Sequence, residues 1–145
     1  MNLISRKQIG EFTLQQISKK HYRVIYTGQA NNAIPMTGAA VTKDFDIEFT
    51  FVLERLHLNH STSTITTASQ DEINLILSRP HVHGLPTFED IFFRKEEITV
   101  SKYILSFEDL NSEGGLIFEP STIRLSLLST SADLIVPIFY LKRLD

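Results

Sequence analysis

At 145 residues, with a formal net charge of -3, 42% hydrophobic side chains and no cysteine, the chain has the size of a single domain, 1–145, built on one core. The missing cysteine excludes disulfides, thiolate nucleophiles and thiolate zinc sites, and it fits a reducing, cytoplasmic location. The opening M-N-L-I-S-R-K-Q-I-G has no apolar run of signal-peptide length and L-I-V-P-I-F-Y-L is too short to span a bilayer, so no membrane is expected as a partner.

Taken in chain order, Phe12 and Leu14, then Tyr22, Val24 and Tyr26, recur at every second residue, which predicts a β-hairpin over Glu11 to Gly28 with its turn at S-K-K-H. T-G-Q-A-N-N-A-I-P-M-T-G-A-A has no periodicity and reads as an irregular loop. The clearest pattern follows in V-T-K-D-F-D-I-E-F-T-F-V-L-E. Phe45, Ile47, Phe49, Phe51 and Leu53 fall on one side of a strand, and Asp44, Asp46, Glu48 and Thr50 on the other. The phase shifts between Val52 and Leu56, where a bulge would re-aim one long, bent strand continuing to His60.

The polar S-T-S-T-I-T-T-A-S reads as a loop or exposed edge. Ser69 as N-cap, Glu72 as its capping-box partner and Pro80 as the stop then predict a short helix. Thr87 is placed to cap a second, F-E-D-I-F-F-R-K. Beyond Ile98, strands return, with hairpin signals at Gly114-Gly115 and S-T-S-A-D, and Pro137 marks an edge or bulge. The fold class expected is α+β: mostly antiparallel sheet, in one or two sheets, with one or two short helices inserted mid-chain.

Catalytic signatures are missing. G-x-S-x-G, G-x-G-x-x-G and the Walker pattern cannot be assembled from this sequence, and neighbouring acids such as Glu96-Glu97 fit a solvated surface better than acid–base work. No enzyme is expected. His81 and His83 raise the question of a metal, since with His57, His60 and Glu89 they offer imidazole nitrogens and a carboxylate. Their H-x-H spacing resembles the metal motif of cupins, which would imply a small metalloprotein. The pattern breaks quickly, because five residues separate His83 from Glu89 and the flanking Pro80, Gly84 and Pro86 place the histidines in a turn. No metal and no cofactor is expected.

Charge is unevenly distributed. Residues 1–30 hold five basic side chains against Glu11, or +4, and the remaining residues hold nine basic against sixteen acidic, or -7. The acidic majority makes a poor general nucleic-acid binder, although K-K-H-Y-R with Tyr22 and Tyr26 nearby leaves open a single-stranded nucleic-acid-binding module at the N-terminal hairpin. The acidic strand face has more to explain. Asp44, Asp46 and Glu48 form a row of like charges that calls for a cation or basic partner, and Glu108, Asp109 and Glu113 add acids near a later turn. A solvated edge strand guarded by charge is the plainer alternative.

The small, cysteine-free, acidic chain, with D-F-D-I-E-F and F-E-D-L-N-S-E-G-G as the stretches that fit, resembles the immunity proteins of bacterial contact-dependent growth inhibition and related toxin systems. The resemblance implies binding to, and neutralisation of, a cognate basic toxin domain such as a nuclease. Asp44, Asp46, Glu48, Glu108, Asp109 and Glu113 would then be the partner-binding residues, covering its basic cleft.

Overall fold

The computed structural model describes residues 3–62, 73–80, 89–100, 102–108, 115–129 and 133–145. The described residues form strands in two sheets and no α-helix, so the expected α+β class is corrected to an all-β one. Sheet A contains β1 (Ser5–Ile9), β2 (Phe12–Gln16), β3 (His21–Tyr26), β4 (Ile34–Pro35), β6 (Phe51–Thr62), β9 (Lys102–Ser106), β10 (Leu116–Phe118) and β12 (Asp133–Arg143). Its order is β1-β2-β3-β12-β6-β10, with β4 beside β12 and β9 beside β6. Sheet B has the order β5 (Val41–Ile47), β11 (Ser121–Ser129), β7 (Ile73–Pro80), β8 (Glu89–Ile98). Every strand pair is antiparallel.

The helix expected before Pro80 is β7, and the one expected after Thr87 is β8. Ile73, Leu75 and Leu77 are buried while Asn74 and Ile76 are partly exposed, a period of two. Their run I-N-L-I-L is short enough to satisfy either period, and tertiary pairing to β11 and β8 decides it. Ser69 and Glu72, the supposed capping pair, lie outside the described residues.

The long strand divides at Glu48–Thr50. Its first half, β5, pairs in sheet B with β11, and its second half, β6, pairs in sheet A with β12. The chain therefore turns a corner between sheets while keeping its apolar residues inside: Phe45, Ile47, Phe49, Phe51 and Leu53 are all buried. The phase change expected between Val52 and Leu56 is present, because Leu53 faces Leu141 and Arg55 faces Tyr140, leaving Glu54 as the extra residue of a bulge. The predicted hairpin is β2–β3, with Phe12 paired to Tyr26.

Aromatic contacts show how the sheets stack. Phe45 of β5 lies 5.0 Å, ring centre to ring centre, from both Phe12 of β2 and Phe139 of β12. At the other border Phe92 of β8 stacks near Phe118 of β10 at 5.1 Å. The edge strands β5 and β8 of sheet B thus cover opposite sides of sheet A, as in a face-to-face sandwich.

Candidate interaction groove

The border where β5 meets the β1–β2 hairpin is built by sequence features that are individually small. Gly10 adopts φ +73, and with Glu11 it makes the two-residue loop that folds β1 back onto β2, Ile9 pairing with Phe12. Ser5, Lys7 and Ile9 then line the space beside β5. Two ion pairs cross the border in opposite senses, Lys43 of β5 to Glu11 at 2.9 Å and Lys7 of β1 to Glu48 at 3.2 Å. The Glu11 carboxylate, accepting from the Lys43 ammonium, raises the pKa of that lysine despite its partial burial.

A groove of about 530 Å³ lies here, lined by Lys7, Ile9, Asp44, Asp46, Glu48 and Thr122 among others. A second depression of about 290 Å³ shares Lys7, Ile9, Asp46 and Glu48 with it and extends to Tyr22, Phe49 and Arg143. The three carboxylates of the acidic row therefore lie on one groove. Their electrostatic situations differ. Asp44 faces Arg124 across the β5–β11 ladder and accepts from Nε at 2.8 Å and from Nη2 at 3.0 Å. Asp46 faces Thr122, whose hydroxyl donates to it, and has no ion pair among the described residues. Glu48 is paired with Lys7, but both side chains are open to water, at 79% and 63% exposure. An ion pair that exposed is worth at most about 1 kcal/mol, so an incoming cation can displace Lys7.

Glu108 is not part of this groove. It follows β9 and Phe107, whose ring packs near Phe92 and Phe93 of β8, at the opposite border of the sandwich. In sheet B that border is three strand spacings from β5, on the order of 14 Å. Asp109 and Glu113, like His81 and His83, lie outside the described residues. His57 and His60 point to opposite faces of β6. His60 is buried on the inner side, while His57 is partly exposed beside Tyr140, with ring centres 4.8 Å apart. Burial lowers the His57 pKa, and the Arg55 and Lys102 charges add to the effect. Among the described residues no cluster of three or more metal-binding side chains forms, and no helix is long and apolar enough to cross a membrane.

β1 is the part of the site that the sequence reading missed. S-R-K-Q-I carries no alternation of apolar residues, and the available signal was Gly10 standing between two short runs, Q-I and E-F.

No family model and no curated protein matches the sequence. Among solved structures, the Yersinia pseudotuberculosis-derived mitogen is similar over 77% of this chain and 89% of its own, at 13% identity and a TM-score of 0.28. A likeness that loose carries no argument about fold or function, and the architecture rests on the strand pairing itself.

Proposed function

We propose that this chain is an immunity-type protein that acts by binding, neutralising a basic toxin domain, such as a nuclease, in the cytoplasm. The observation that supports this reading is the gathering of Asp44, Asp46 and Glu48 on one groove. Asp46 and Glu48 carry the recognition, since among the described residues Asp46 has no ion pair and Glu48 holds its lysine weakly, whereas Asp44 is committed to Arg124. A lysine or arginine of the partner enters the groove, takes the place of Lys7 at Glu48 and reaches Asp46. Charge complementarity of this kind accelerates association and fixes register.

The test is the double variant Asp46→Lys, Glu48→Lys, measured for binding to the toxin domain encoded beside it, with the fold checked by circular dichroism. Affinity should fall at least about tenfold, with the loss shrinking as salt rises. An unchanged affinity in the folded variant overturns the proposal.

A further inference from the structure

Tracing the strand registers across the outer face of sheet A brings together cations that are far apart in sequence. Arg6 pairs with Gln15, Gln15 with Arg23, Arg23 with Tyr140, and Tyr140 with Arg55. These five positions form one lateral row over β1, β2, β3, β12 and β6. Arg6, Arg23 and Arg55 are each two strand spacings apart, so the row runs about 19 Å. Lys142, opposite His21, and Lys102, opposite Asn59, extend the positive surface on either side.

The contacts these cations make on the face leave their charge uncompensated: Arg23 Nε donates to the neutral Gln15 side chain, and the Arg55 guanidinium lies over the Tyr140 ring. Among the described residues neither Arg6, Arg23, Arg55, Lys102 nor Lys142 forms an ion pair, while the pairs that do form, such as Lys7–Glu48 and Arg124–Asp44, lie at the sheet border or on sheet B. Glu54, the bulge residue, stands next to Arg55 in sequence and pairs with none of them. A chain of net charge -3 has thus separated its charge, with carboxylates toward the β5 border and unpaired cations on the outer face of sheet A. Whole-chain charge, which argues against polyanion binding, hides this arrangement.

The face also offers stacking surfaces. The Arg55 guanidinium lies 4.8 Å from the centre of the Tyr140 ring, and the His57 ring lies equally close on the neighbouring row. Ile25, paired with Ile138, and the 51% exposed Ile104 supply apolar ground beside them. Cations set along a track, with π surfaces and apolar ground between them, are what an extended single strand of nucleic acid requires: guanidinium groups meet phosphates, and bases lie on flat rings. We infer that the outer face of sheet A binds single-stranded nucleic acid, with Arg23, Arg55 and Tyr140 at the centre of the track. This surface is separate from the acidic groove and does not depend on its role.

The experiment is fluorescence anisotropy of a labelled oligothymidylate titrated with the full chain at about 50 and about 200 mM salt, a range over which phosphate contacts weaken strongly. Binding should be strong at the lower salt and fall steeply at the higher. Arg23→Gln and Arg55→Gln, which keep the aliphatic stems and the fold, should each weaken binding and reduce the salt slope by about 0.7. Tyr140→Leu should weaken it about fivefold or more at either salt, as loss of a stacking base does. No binding at low salt, equal affinity in the arginine variants, or competition by polyglutamate as strong as by unlabelled oligonucleotide overturns the inference, the last by assigning the face to acidic protein.

Discussion

Arg124 holds Asp44 with two donors across the β5–β11 ladder, which turns one member of an apparent acidic row into an internal cross-strand pair. The row is regular in sequence and unequal in energy. Asp44→Asn should lower stability by roughly 0.5–1 kcal/mol, the value of a partly exposed pair, and should alter partner binding less than Asp46→Asn does. Urea denaturation and a binding titration of both variants check this. A larger binding loss from Asp44→Asn would mean that the pair opens when the partner arrives.

Phe45 touches rings from two strands of the opposite sheet, Phe12 and Phe139. Phe45→Ala should cost about 3–5 kcal/mol, as truncation of a buried aromatic does. Phe49, at the corner and 7% exposed, should cost about 3 kcal/mol, at the lower end of that range. Thermal melts that leave Phe45→Ala indistinguishable from wild type would contradict the packing of the two sheets.

Gly115 occupies φ +137, and a Cβ there would lie 2.5 Å from Val52 Cγ1 and 2.9 Å from the Leu53 carbonyl oxygen. Gly115→Ala should destabilise by at least about 1–3 kcal/mol through backbone strain alone. An unfolding free energy from chemical denaturation that falls by less than this would show that β10 can draw away from β6 at little cost.

His57 provides a pH signature. Its folded pKa lies below the unfolded value of 6.5, so on acidification the unfolded chain takes up the proton first. Stability is therefore fully present above the unfolded value and declines as the pH falls from there toward the folded one. His57→Gln should remove this part of the slope, seen by comparing melting temperatures at about pH 7.5 and about pH 5.5, on either side of the unfolded value. Identical slopes in the two proteins would show that the imidazole is hydrated when folded.

How much of this was legible depended on the residues. Phe45 to Leu53 announced both their strand and their burial, because alternation of phenylalanine with aspartate admits one period. Ile73 to Leu77 did not, since a short apolar run carries no period of its own and the neighbouring cap signals favoured a helix. The acidic row could be read as a row, but Arg124, eighty positions from Asp44, becomes its partner only through the β5–β11 pairing. The cationic face was hidden for the same reason: Arg6, Arg23 and Arg55 become neighbours by register, which local sequence does not record.

The position of β12 bears on how the molecule is made. It lies between β3 and β6 in sheet A, pairing with both, although it follows every other described strand of that sheet in the sequence. On the ribosome, the N-terminal hairpin and β6 have no lateral connection in that sheet until Asp133–Arg143 emerges. The acquisition of sheet A is therefore late and dominated by long-range pairing, a topology that folds on the millisecond-to-second scale. Until then the unpaired edges of β3 and β6 are open to other chains, and nascent protein at high concentration is most exposed to aggregation in that interval.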